Sequence, residues 1–256
     1  MYAYYLTGVG ALFLILFLVF RDKKSSIKAI IFKTCTSMMF IAVAFASLHE
    51  NPWGNIDNVL IPASLIISGL IMGLIGDIVL DFKIYLKGIS DKYPAAKKDS
   101  ELITYMGMGA FGIGHVFYIS ACVLRFVNNN LNLIWAALGA VVFTALVFVV
   151  SIKLLKMKFG KFLAPAASYS VLLCFFTAIA SICIATDGAL KSTIFLLVGS
   201  LLFLLSDLVL SMTYFSKSED YQKTGPMNPE SRVMIIVNHV LYYGAQFCIA
   251  LALRFI

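Results

Sequence analysis

Charge is what this chain has least of. Of its 256 residues, 13% are Asp, Glu, Lys or Arg, about half the quarter found in ordinary soluble domains. That balance excludes a soluble protein of this size, and the connectors between apolar runs are too short to hold a separate soluble domain. Histidine is equally sparse, with three in the chain and neither H-x-x-x-H nor H-E-x-x-H. His115 and His239 therefore give only a weak zinc signal. The five cysteines (Cys35, Cys122, Cys174, Cys183, Cys248) lack any C-x-x-C pair and fall inside apolar runs, which reads as buried free thiols. No G-x-S-x-G elbow or glycine-rich phosphate loop occurs, so nothing points to acyl-enzyme or nucleotide chemistry. No Lys or Arg precedes the first apolar run, which makes that run a first span rather than a cleavable signal peptide.

What is present is hydrophobic sequence: 61% apolar residues and a mean hydropathy of +0.93. A helical span needs about 20 apolar residues. Eight such runs lie near 3–20, 27–48, 59–82, 102–124, 131–152, 162–186, 192–214 and 231–254. The expected fold is all-α, a polytopic membrane protein forming one transmembrane domain over residues 1–256. The connectors 21–28, 83–98, 153–161 and 217–232 hold sixteen of the twenty Lys and Arg residues. Basic residues collect on the cytoplasmic side, so both termini are expected outside. The net charge of +7 then reports contact with anionic lipid headgroups, not nucleic acid. Trp53, in the turn at 51–55, is expected at headgroup level, and the segment 83–101 around Pro94 is expected to be a solvated loop. Span five, nearly featureless, is expected to face lipid.

Two short similarities suggest an internal duplication. Gly76-Asp-Ile-Val-Leu80 matches Ser206-Asp-Leu-Val-Leu210 at an offset of 130, and Gly114-His-Val-Phe-Tyr118 matches Asn238-His-Val-Leu-Tyr242 at an offset of 124. Four spans separate the copies, which implies two parallel four-helix halves, about 1–125 and 126–256, related by an axis along the membrane normal.

The matched segments carry Asp77 and Asp207, ionisable groups inside spans, where charge is costly and points to function. At about 1.5 Å per helical residue, Lys33, Asp77, Tyr169, Asp207, Asn238 and His239 all lie roughly 8–12 Å from the basic face, with Ser206 beside Asp207. His115, Tyr118, Tyr243 and Gln246 lie deeper. Asp81 is nearer the interface and expected to be solvated. Two carboxylates in a dry chamber suit acid–base work if a cation keeps one ionised and burial keeps the other protonated. Lys33 either supplies that cation or snorkels to the interface. Ser206, Tyr118 and Gln246 could equally serve as hydrogen-bonded glue between helices. A proton-coupled transporter and a metal-dependent intramembrane lipid hydrolase remain alternative readings of the same residues.

The Gly76-Asp77 span, Gly107 through Tyr118, Pro165 with Tyr169, Ser206-Asp207 and Tyr242-Tyr-Gly-Ala-Gln246 together resemble the YhhN-like lysoplasmalogenases. The second span departs from that family's pattern, since Lys33 is followed by Thr34 rather than proline. The resemblance implies hydrolysis of the vinyl ether of a lysoplasmalogen to a fatty aldehyde and a glycerophospho-ethanolamine or -choline, without a cofactor or metal. Asp77 and Asp207 would be the acid–base pair. Lys33 would steady the phosphate or one carboxylate, and His115, Tyr118, Tyr169, Ser206, Asn238, Tyr243 and Gln246 would orient water or line a lysophospholipid pocket. The protein is then expected in a bacterial inner membrane, its site turned toward the cytoplasmic leaflet, with membrane lipids around it.

Overall fold

The computed structural model describes residues 1–21, 27–51, 56–89, 93, 95–127, 130–217, 219–222, 224–226 and 228–256. Eight long helices account for nearly all of them: α1 (Tyr2–Phe20), α2 (Ile27–His49), α3 (Ile56–Ile89), α4 (Ala95–Phe126), α5 (Asn130–Val149), α6 (Leu163–Asp187), α7 (Lys191–Phe215) and α8 (Arg232–Ala252). Each is long and apolar enough to cross a membrane, and there is no strand among the described residues. In lipid a backbone must satisfy its own hydrogen bonds, which is why uninterrupted helices are the outcome.

Burial ranks the helices by position. Half or more of the apolar window is buried in α3 (50%) and α4 (56%), against 17% in α1 and in α5, so the first pair forms the centre and the second pair the lipid-facing rim. In α5 the only buried residues are Ala136, Ala140 and Thr144. That four-residue spacing leaves a single narrow stripe against the bundle. The expectation that span five faces lipid is met.

The segment 83–101 differs from the expected loop. Helix α3 runs on to Ile89 and α4 begins at Ala95, so both helices extend past their apolar windows. Lysine, leucine, alanine and glutamate are good helix formers, and a charged stretch that looks like a loop is equally a solvated helical turn. Trp53 of the 51–55 turn and Pro94 lie outside the described residues.

Close packing at the centre depends on glycine. A Cβ on Gly69 of α3 would lie 2.9 Å from the Gly114 carbonyl oxygen and 2.3 Å from the Tyr118 ring, and one on Gly114 would lie 3.1 Å from the Gly69 oxygen. The α3 and α4 backbones therefore meet directly, as small residues permit in membranes. Gly199 of α7 repeats the device: its Cβ would lie 2.8 Å from the Ile249 side chain and 3.2 Å from the Ala245 oxygen of α8. Gly69 and Gly199 are separated by the same 130 residues as Asp77 and Asp207. At the opposite end from the basic connectors, Glu50 pairs with Arg254 at 2.5 Å, and Asn51 Nδ2 donates to the Leu253 and Ile256 carbonyls, each at 3.2 Å.

Gly69→Val is expected to destabilise the protein by about 1–3 kcal/mol, the usual cost of overpacking. Gly109→Ala, where nothing lies within 4 Å of the added carbon, is expected to be silent. Thermal unfolding of the two variants in detergent checks the contrast.

Candidate functional site

Where α1, α3 and α7 end and α2 and α8 begin, the helices enclose a cavity of about 350 Å³. Its walls come from α2 (Lys33), α3 (Asp77, Asp81), α4 (Phe111), α7 (Ser206, Asp207, Tyr214) and α8 (Asn238, His239, Tyr242). Arg21, Lys83, Tyr221 and Glu230 stand around the mouth. The segment between α7 and α8 is held there by its own bonds: Tyr221 OH donates to the Thr213 carbonyl at 2.7 Å and Thr213 Oγ1 to the Pro229 carbonyl at 3.0 Å.

Helical spacing places the key groups. Side chains four apart share a face, and Lys33/Ser37, Asp77/Asp81 and Asn238/Tyr242/Gln246 all follow that rule. Lys33 Nζ lies 3.0 Å from Asp81 Oδ1 and 3.4 Å from Asp77 Oδ1. Asp77 Oδ2 accepts from Ser37 Oγ at 2.7 Å and from Tyr242 OH at 2.8 Å. Behind Tyr242, Gln246 Nε2 donates to its hydroxyl at 3.1 Å, and Tyr118 OH donates to Gln246 Oε1 at 3.0 Å. Tyr243 OH lies 3.0 Å from Ser37 Oγ and 3.3 Å from the Lys33 carbonyl. Asp77 therefore sits at the end of a line of donors that begins on α4, crosses α8 and arrives on α3.

Asp207 has a different setting in the same cavity. Tyr169 OH of α6 donates to its Oδ2, and no ion pair to it is formed among the described residues. Neighbouring Ser206 donates to the Phe203 carbonyl of its own helix at 2.9 Å.

Of the ten residues singled out by sequence, Lys33, Asp77, Ser206, Asp207 and Asn238 line this cavity. Tyr169 reaches it through Asp207. Tyr118, Tyr243 and Gln246 stand behind the wall and act on Tyr242, Ser37 or the α2 backbone. His115 is brought to neither place. It is 1% exposed, its Nδ1 is bonded to the Phe111 carbonyl at 2.8 Å, and its ring packs 4.6 Å from Phe203 among Tyr118, Tyr169 and Phe176. His239 does line the cavity, with Nδ1 bonded to the Ile235 carbonyl at 2.7 Å and its ring against Phe17. The two histidines thus occupy separate environments, and no cluster of three His, Cys, Asp or Glu is placed to hold a metal among the described residues.

Asp81 corrects an expectation. Instead of being solvated it is 6% exposed and makes the shorter of the two Lys33 contacts. One helical turn beyond Asp77, it faces the same cavity, and the extension of α3 carries the helix past it. Lys33, also 6% exposed, does not snorkel; two carboxylates hold it inside. Sequence reasoning also passed over Ser37 and Tyr242. Their signal was the four-residue step from Lys33 and from Gln246.

Lys33→Met leaves two buried carboxylates without a cation and is expected to cost about 3–5 kcal/mol. Adding Asp81→Asn is expected to recover part of that loss, and a double-mutant cycle on unfolding free energies measures the coupling.

Searches among curated proteins and among solved structures return no match. The model of the YhhN family matches residues 28–253, a stretch that contains every cavity-lining residue named above except Arg21. The chain belongs to the YhhN family.

Proposed function

We propose that this protein is an intramembrane hydrolase that cleaves the vinyl ether bond of lysoplasmalogens by acid–base catalysis. The observation that carries the reading is the unlike environment of two carboxylates in one cavity. Asp77 shares the Lys33 cation with Asp81 and accepts from two hydroxyl donors, which favours its charged form. Asp207 has a hydroxyl donor and, among the described residues, no paired cation, and a lone charge in such surroundings is costly. Asp77 is accordingly the carboxylate and Asp207 the proton donor.

The chemistry needs that division. Asp207 gives its proton to the β-carbon of the vinyl ether, leaving an oxocarbenium ion on the ether oxygen and α-carbon. The Asp77 carboxylate stabilises that cation and takes a proton from the attacking water, as in glycoside hydrolysis. The hemiacetal then collapses: its hydroxyl proton returns to Asp207 and the proton held by Asp77 passes to the departing glycerol oxygen. One water is consumed, an aldehyde and a glycerophospho-alcohol leave, and both acids are restored. Arg21 and Lys83 at the mouth suit a phosphodiester headgroup. The mouth opens on the face of the basic connectors, which the positive-inside rule assigns to the cytoplasm. In a bacterium that is the inner membrane.

Asp77→Asn and Asp207→Asn are each expected to lower aldehyde release by at least about 10²-fold, the scale of general acid–base catalysis, with the folded state retained in detergent. Mass spectrometry of lysolipids before and after incubation provides the measurement. Near-full activity in both variants overturns the assignment.

A further inference from the structure

A second chamber lies behind the first. It is enclosed by α4, α5, α6 and α7, has a volume of about 250 Å³, and is walled largely by hydrocarbon from residues such as Met108, Phe143, Val147, Leu173 and Leu204. Of its few hydroxyls, Thr104 and Ser211 are already bonded to their own helices, to the Ser100 carbonyl at 2.9 Å and the Leu208 carbonyl at 2.7 Å. Such a space offers a ligand apolar contact and little else.

Its position gives it meaning. Leu80, Phe111, Asp207, Leu210 and Tyr214 line both this chamber and the polar cavity. Asp207 therefore stands at the junction between a charged compartment and a greasy one. Tyr169, the donor to Asp207, belongs to the chamber wall. On the chamber rim Leu205 is 48% exposed, so the space communicates with the bilayer.

We propose that this chamber binds the hydrocarbon chain of the substrate, placing the bond at the chain's polar end against Asp207. The assignment rests on the hydrolase reading above and extends it to chain selectivity. A single-chain lipid has a charged head, a reactive linkage and an apolar tail in that order. The polar cavity, Asp207 and the chamber repeat that order in space. At a share of roughly 30 Å³ per water-sized group, the chamber takes on the order of eight methylenes. A longer tail continues past Leu205 into lipid, where further carbons meet the same solvent before and after binding and add no selectivity.

The test uses the full chain in detergent with alkenyl lysophospholipids of graded tail length. For the wild type, kcat/KM is expected to rise with tail length and to level off near eight carbons. The gain approaches about fourfold per methylene for short-tailed lipids taken up from water as monomers. It is smaller for lipids drawn from a micelle, whose interior is already apolar. Val147→Trp, filling the chamber from α5, is expected to cut activity on long tails at least tenfold while sparing the shortest. Val142→Trp, on the lipid face of the same helix at 62% exposure, is expected to keep the wild-type profile. Should Val147→Trp fail to fold by circular dichroism, Ser170→Leu on the α6 wall provides the same comparison. A wild-type profile flat in tail length, or an equal loss at every length in the chamber variant, overturns the proposal. Binding of saturated ether lysolipids, which have no vinyl bond to cleave, is measured in parallel by calorimetry. Tail-dependent binding lost in Val147→Trp, with no aldehyde from any substrate, upholds the chamber and overturns the hydrolase. Aldehyde release with tail-independent binding does the reverse.

Discussion

The cluster of Lys33, Asp77 and Asp81 is the constraint around which the bundle is arranged. Three ionisable groups with relative exposures of 4–6% are tolerable in an apolar interior only if ion pairing and hydrogen bonds offset the cost of burial, and here one lysine is shared between two carboxylates. Lys33 spans both carboxylates, and the remaining lone pairs of Asp77 are met by Ser37 and Tyr242. Those contacts fix α2, α3 and α8 relative to one another. The glycines on α3 then make the approach possible: a Cβ on Gly73 would lie 2.6 Å from Gln246 Nε2, on the side chain that supports Tyr242. Bare backbone at that point is what lets a polar network pass between packed helices.

Charge matching in one place throws its lack in another into relief. Asp207 shares a cavity with the Lys33 cluster without joining it, and its partner is a phenol rather than a cation. Two acids with the same side chain are thereby set up for different work by their neighbours alone, a division that acid–base enzymes commonly rely on.

Much of this was readable in the amino-acid order. Hydropathy alone located all eight helices, because lipid forces span length and helicity together. The common depth of Lys33, Asp77, Asp207 and Asn238 followed from the fixed rise of a helix, and these four do line one cavity. Depth, however, does not say which way a side chain turns. His115 lies one helical turn deeper than Phe111, a cavity-wall residue, yet its ring points into an aromatic cage. Asp81 shows the same limit: it lies close to the interface, yet the azimuth it shares with Asp77 turns it inward. Ser37 and Tyr242 carried no alarm as residue types, since a serine or tyrosine in a span is ordinary. Only their spacing from charged or amide neighbours marked them out.

The pairing of acids with partners also bears on how the chain enters a membrane. Asp77 and Asp81 find Lys33 on α2, the helix synthesised just before α3. Asp207 finds Tyr169 on α6, just before α7. In both cases the polar partner lies one helix upstream and has already left the ribosome when the acid emerges. Each hairpin can therefore shield its own awkward groups during insertion, without waiting for α8 to complete the bundle.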